Sequence, residues 1–298
     1  MRCYLCGSKT GIFIRKLGFT IYQCPACGLG RTDLKKNYSD FLTTFYTEGY
    51  FTGDPRFSAY TDYRYDKPYI TKNMRKVLTE IQKHSTHSSL LDVGCAYGYF
   101  IDLARVAGFD AYGFDASPYA VRQARKLVGN RVSQGTVQTV AYREKSFDII
   151  TLLDVFEHLN DPAKDLARIR SFLKDDGILV IATGDTGSLL ARMLKRRWTF
   201  YVPPQHLFFF SKDTLTRLFF SVGLTPIKWF RVGKWLSLSY VLHLARTTGE
   251  SKLARRLYPI FRNTWLGKIP LYLPVQDNMV VIARKTRRSV RGHDATTA

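Results

Sequence analysis

No run in the 298-residue chain reaches the roughly 18 apolar residues of a membrane span, and the N-terminus lacks a signal-peptide core. Residence in the cytoplasm is therefore the expectation. Internal repeats and extended low-complexity segments are also missing, which leaves the length for one large domain plus accessories. Acidic residues are scarce: 24 Asp and Glu stand against 45 Lys and Arg, a formal net charge of +21. The imbalance is concentrated from Thr186 to the C-terminus, where 20 Lys and Arg oppose Asp213, Glu250, Asp277 and Asp294. Such an excess favours anionic partners (phospholipid, a phosphorylated carrier or nucleic acid), with a merely solvated basic face as the alternative.

Cysteine is scarce too, yet four of the five fall into two pairs, Cys3-x-x-Cys6 and Cys24-x-x-Cys27, separated by 17 residues. This is zinc-ribbon spacing, and each knuckle, CYLCGS and CPACGLG, places glycine after its second cysteine. Disulfides are the competing reading, which the missing export signal disfavours. Four thiolates close a coordination shell, so Cys3, Cys6, Cys24 and Cys27 are expected to hold a structural zinc.

The most informative segment is LLDVGCAYGYF, Leu90 to Phe100, followed by Asp115 in AYGFDAS. Leu90, Leu91 and Val93 suit a parallel strand buried on both faces. Gly94 and Gly98 permit a sharp turn close beneath a ligand, and Phe100 to Val106 has helical spacing, so free N–H groups face that ligand. Tyr112 to Phe114 read as the next strand, with Asp115 at its end placed to accept hydrogen bonds from ribose hydroxyls. A nucleoside site follows. A dinucleotide site would need G-x-G-x-x-G, whereas the turn here is Gly94-Cys-Ala-Tyr-Gly98.

In this segment the chain resembles the class I S-adenosylmethionine-dependent methyltransferase superfamily, whose first motif reads D-x-G-x-G-x-G; Ala96 replaces its middle glycine. GTVQTV and SFDIITLLDVFEHLNDP follow in the superfamily's order for its third and fourth strands. The helix Pro162 to Leu173 and strand Gly177 to Ala182 come next, then Leu224 to Phe230 and Asn278 to Arg284 as the last two strands. The resemblance implies an α/β, doubly wound Rossmann-like seven-stranded sheet with an antiparallel last strand, beside the small N-terminal zinc ribbon. It also implies an S-adenosyl-L-methionine site in which Asp92 lies near the amino group, Thr136 and Val137 along the adenine and Ala116 on its other face. Candidate cofactor contacts are thus Asp92, Gly94, Cys95, Ala96, Gly98, Asp115, Ala116, Thr136, Val137 and Leu153. For Cys95 itself a packing role is expected.

The expected organisation is a ribbon over 1–35, a tyrosine-rich connector over 36–67, a methyltransferase domain over 68–286 and a disordered tail over 287–298. The connector carries Tyr46, Tyr50, Phe51, Tyr60, Tyr63 and Tyr65, which either line the site's mouth or pack on the core. A cap occupies 183–223, with a helix start at Ser211 and a buried face of Leu215, Leu218, Phe219 and Val222. A basic insertion over 235–277 interleaves apolar residues with arginine and lysine, as an interfacial amphipathic helix or one packed on the domain would.

Methyl transfer needs an aligned acceptor and, for a hydroxyl, a base. His158, in the segment after the fourth strand, is the first candidate and His206 in the cap the second, with structural roles as alternatives for both. Asp154, Glu157 and His158 offer a divalent-cation site instead. The cysteine pairs, YTEGYF, the cofactor motif, DVFEHL and PPQHLFFFS together resemble a bacterial group that acts on surface polysaccharides, glycolipids and natural-product sugars. That resemblance implies O-methylation of a sugar or glycolipid acceptor, with peripheral contact at an anionic inner membrane surface. C-methylation of a deoxysugar, RNA methylation and a non-catalytic scaffold remain as other readings. Against RNA stands the lack of an N/D-P-P-Y/F motif and of a Pro-Cys pair.

Overall fold

The computed structural model describes every residue except 55–56, 58–60, 86–88, 249–250, 263, 275 and 287–298. Tyr60 and the tail expected after 286 lie outside the described residues. The chain opens with an antiparallel meander, β1 (Gly11–Lys16), β2 (Phe19–Gln23) and β3 (Gly30–Thr32). Leu17 and Gly18 join the first two strands with φ of 51° and 79°, the left-handed pair that a tight hairpin requires. Two short helices, α1 (Tyr38–Phe45) and α2 (Glu48–Thr52), then lead into α3 (Lys67–His84).

Strands and helices then alternate: β4 (Ser89–Val93), α4 (Tyr99–Val106), β5 (Asp110–Asp115), α5 (Pro118–Val128), β6 (Val132–Gln134), β7 (Phe147–Leu153), α6 (Pro162–Phe172) and β8 (Leu173–Gly184). The rest comprises α7 (Leu189–Leu194), β9 (Phe208–Phe209), α8 (Lys212–Ser221), β10 (Leu224–Arg231), β11 (Lys234–Ser237), α9 (Leu238–Thr247), α10 (Lys252–Phe261), β12 (Pro270–Leu273) and β13 (Asn278–Lys285). The central sheet has seven strands in the order β10-β13-β8-β7-β4-β5-β6. β13 runs antiparallel to both its neighbours, and the strands from β8 to β6 are parallel. This is the doubly wound sheet with an antiparallel last strand.

Helices cover both sheet faces, so the inner strands read as continuous apolar runs. Along β4, Leu91 and Val93 join one buried cluster with Ile150, Leu152 and Ile181. Leu90 faces the opposite cluster with Ile149, Val180 and Ile282. Strand order reverses around β4, which pairs with β7 on one side and β5 on the other. A crevice forms at the carboxyl ends of such strands.

The structure corrects one sequence expectation and adds two features to others. GTVQTV is not the third strand: β6 lies just before it, and Gly135 to Val140 form a turn in which Thr139 and Val140 N–H both donate to the Thr136 carbonyl. The insertion is framed by an antiparallel strand pair, β11 with β12, with α9 and α10 between them in the chain, and β11 packs on α3. The cap contributes β9, which pairs with β3 and so becomes the fourth strand of the ribbon's sheet.

Candidate functional site

The glycine turn after β4 is built by backbone conformation. Gly94 has φ of 70°, and a Cβ there would stand 2.6 Å from Val155 Cγ2. Gly94 and Cys95 N–H both donate to the Phe114 carbonyl, at 2.8 and 3.0 Å, which locks the turn onto the end of β5. Ala96 adopts φ of 46°, a left-handed conformation that costs an alanine roughly 1–2 kcal/mol. Asp115 holds it there: Oδ2 accepts the Ala96 N–H at 2.9 Å, while Oδ1 accepts that of Ser117 at 2.8 Å. Gly98, with φ of 76°, caps the N-terminus of α4.

Beside this turn opens a cleft with an empty volume of about 830 Å³, its mouth included. Gly94, Ala96, Asp115, Ala116, Thr136, Val137 and Leu153 form its sheet side, and Asp154, Val155, His158 and Leu159 one flank. The connector supplies the opposite side with Tyr38, Leu42, Tyr46, Tyr50, Phe51 and Tyr63. Three of the ten candidate cofactor residues, Asp92, Cys95 and Gly98, stand behind that wall. Cys95 is buried in the core cluster under α4, and burial pushes its thiol well up, which fits packing and not reactivity. Tyr65 also lies away from the cleft.

Asp92 is 3% exposed and accepts a 2.6 Å hydrogen bond from Thr151 Oγ1. Burial, with a smaller push from the Asp115 charge, raises its carboxyl to about 7. Between about pH 4 and 7 the native state therefore keeps a proton that the unfolded chain has lost, so stability falls as pH rises through that window. The full effect is at most about 4 kcal/mol. Asp92→Asn should flatten that fall, seen in urea unfolding of both proteins at pH 5 and 7.5; equal slopes would refute the assignment.

His158 reaches the cleft from the short turn after β7. Its Nδ1 lies 2.9 Å from the Tyr46 hydroxyl, and its carbonyl accepts from the Tyr38 hydroxyl at 3.0 Å. The Tyr46 carbonyl in turn accepts from Ser117 Oγ at 2.6 Å, tying the connector to the segment after Asp115. Burial drives the His158 imidazole down to about 4, against the opposing pull of the Asp154 charge. Glu157 is fully buried: Oε2 accepts from Thr183 Oγ1 at 2.7 Å, Oε1 has no hydrogen-bond partner among the described residues, and burial beside Asp154 raises the carboxyl to about 8.

His206 does not line the cleft wall. It is buried behind His158, ring centroids 5.0 Å apart, with Nδ1 2.7 Å from the Phe200 carbonyl. The expected trio of Asp154, Glu157 and His158 is not gathered. Asp154 is exposed and accepts from Asn278 Nδ2 at 2.8 Å, whereas the ligand atoms of Glu157, His158 and His206 lie within 4.8 Å of one another. Sequence reasoning missed this grouping because His206 arrives from the cap; the one polar ring in the apolar run PPQHLFFFS was its only signal.

The four ribbon thiols converge, with Cys3 and Cys27 Sγ 3.6 Å apart and Cys6 and Cys24 Sγ 3.5 Å apart. A tetrahedral ion with bonds of about 2.3 Å to sulfur needs separations of about 3.8 Å, so the cluster matches such an ion closely. The ribbon is fastened to the core. Tyr4 hydrogen-bonds Asp161 and accepts the Ala163 N–H at 2.9 Å, and its ring packs 5.1 Å from that of Phe208. Thr32 donates through N–H to the Leu207 carbonyl and through Oγ1 to that of His206, while Leu207 N–H donates to the Glu157 carbonyl at 2.8 Å.

The family described as a methyltransferase domain matches residues 63–228, the segment that forms the turn, the acid and most of the cleft. The chain belongs to this methyltransferase-domain family. Among curated proteins, this methyltransferase-domain chain is 28% identical over 149 residues to a ubiquinone biosynthesis O-methyltransferase of Cereibacter sphaeroides, covering 46% of this chain and 60% of the relative. It is 33% identical over 105 residues to the protein of the same name in Actinobacillus pleuropneumoniae serotype 5b, covering 32% and 44%. It thus spans about half the length of these relatives. Among solved structures, a Bacillus halodurans protein described as a methyltransferase superposes with a TM-score of 0.52 at 17% identity, over 72% of this chain and all of that one. A chain from the Haloferax volcanii complex of a methyltransferase activator with its methyltransferase gives 0.55 at 14%, over 86% and all. At these identities the structures show the shared α/β fold.

Proposed function

We propose that the protein is an S-adenosylmethionine-dependent O-methyltransferase acting on a sugar or glycolipid hydroxyl. The observation that carries the reading is the cleft itself: a family-matched glycine turn braced by Asp115, opposite an aromatic wall, with His158 on its flank. The O-methyltransferase names of the curated relatives support oxygen as the acceptor atom. In that reading Asp115, after binding two backbone N–H groups, keeps lone pairs for ribose hydroxyls. Ala116, Thr136 and Val137 flank the adenine, and Asp92 sits behind the turn near the methionine amino group.

S-adenosylmethionine supplies an electrophilic methyl on a sulfonium. Bound there, it would pass that methyl to the acceptor oxygen as the carbon–sulfur pair returns to sulfur, leaving a methyl ether and S-adenosylhomocysteine. The hydroxyl proton must leave, and His158, held neutral by burial and oriented by Tyr46, is the group placed to take it. His206 stands behind it as a second base or as support.

The four ribbon cysteines bind a structural zinc in this reading. Contact with an anionic membrane is supported by α10 and the segment after it, where Leu253, Ile260 and Trp265 are 63–75% exposed among Arg255, Arg256 and Arg262. No helix among the described residues is long and apolar enough to cross a membrane.

The test is calorimetric titration with S-adenosylmethionine, then product mass and linkage with nucleotide sugars and with glycolipids in phosphatidylglycerol vesicles. His158→Ala should lower kcat by about 100-fold or more with donor affinity preserved. A folded, zinc-loaded protein that binds no donor would refute the reading.

A further inference from the structure

We propose that Glu157, His158 and His206 form a second metal site, for a divalent first-row transition cation, at the inner end of the cleft. This rests on the previous reading only in placing the cation beside the acceptor. The three side chains offer one carboxylate oxygen and two imidazole nitrogens within 4.8 Å of one another, two residues buried and His158 half-buried. Bonds of about 2.1 Å from nitrogen and oxygen require separations near 3.4 Å, so shortening the ligand separations by up to about 1.4 Å brings all three within reach of one ion. Two histidines and one carboxylate leave coordination positions open, and His158 carries that open side to the cleft wall.

Three independent observations point to a ligand there. Glu157 Oε1 is a fully buried oxygen with no hydrogen-bond partner among the described residues, which is costly unless something else binds it. The His206 Nδ1 is committed to the Phe200 carbonyl, the outer hydrogen bond that metal-ligating histidines commonly make, leaving Nε2 for the cation. The His158 Nδ1 is likewise paired with the Tyr46 hydroxyl. Asp154 acts on the trio as a nearby negative charge, with Lys234 Nζ 3.9 Å from its carboxylate.

The site also gives the ribbon a function: Thr32 of β3 holds the carbonyl of His206, and Leu207 N–H binds that of Glu157, so the ribbon fixes the distance between two ligands. A cation here would lower the pKa of a coordinated acceptor hydroxyl, whose proton leaves to water; with the cation bound His158 serves as ligand, and the base role given to it above applies to the cation-free protein.

The experiment is titration of zinc-loaded full chain with Co²⁺, followed by visible absorption. The expected result is one equivalent with d–d bands and no thiolate charge-transfer band. Glu157→Gln and His206→Ala should each weaken binding at least tenfold, and His84→Ala, distant from the trio, should leave it unchanged. His206→Asn is the substitute if the alanine variant melts early. Absence of cobalt binding, or equal binding in Glu157→Gln and His206→Ala, would overturn the site. Donor titration of the same samples separates the two readings: donor binding without cobalt removes only the metal, and cobalt binding without donor removes only the methyltransferase reading.

Discussion

Asp115→Ala should lower S-adenosylmethionine affinity at least ~100-fold while leaving the fold intact. The acid does two jobs. Each oxygen accepts one backbone N–H, from Ala96 at 2.9 Å and Ser117 at 2.8 Å, and the residue lines the cleft. Removing the carboxylate takes away the ribose contact, worth about 1.5–3 kcal/mol for a hydrogen bond to a charged group, and also leaves the strained Ala96 turn unbraced. Together, at about 2.5–5 kcal/mol, these reach the 2.7 kcal/mol or so that corresponds to ~100-fold. Asp115→Asn keeps one acceptor and should fall between the two. Calorimetric titration gives the affinities and thermal melting the fold; an alanine variant with undiminished affinity would place the ribose elsewhere.

The loop and its acid were legible in the sequence because every determinant is local. A buried apolar run, two glycines and an acid about twenty residues on describe β4, the turn, α4 and the end of β5 without tertiary information. The start of α8 was equally legible, since Ser211 and Thr214 form a reciprocal cap within four residues. The third strand was misplaced because β6 has three residues of which only Val132 is buried, too short for periodicity to register. Ala96 stands at the motif's middle glycine, and its cost lies in its φ of 46°. What the sequence could not carry were the long-range pairings. Thr151 on Asp92, β9 on β3, and His206 on the Glu157 turn each join segments separated by dozens of residues, and nothing in local patterning selects those partners.

Those pairings lead to the second large effect. Cys24→Ser should reduce methyl transfer at least tenfold while leaving S-adenosylmethionine affinity within about twofold. Cys24 is 1% exposed, and metal binding by such a cluster supplies most of the folding free energy of a small ribbon, about 10–16 kcal/mol in isolated fingers. Without it β3 loses its register, and β9 loses the strand it pairs with at Gly30 and Arg31. His206 and Leu207 then lose their anchors on Thr32, and the turn bearing Glu157 and His158 loses its contact with the cap. The donor side is built from β4, β5 and the turn after β6, none of which pairs with the ribbon, so donor binding should survive. Kinetics with saturating donor, beside titration of donor into the same sample, reads both quantities. Equal loss of binding and turnover would mean that the ribbon holds up the whole domain; loss of turnover alone would show that it positions the acceptor end of the cleft.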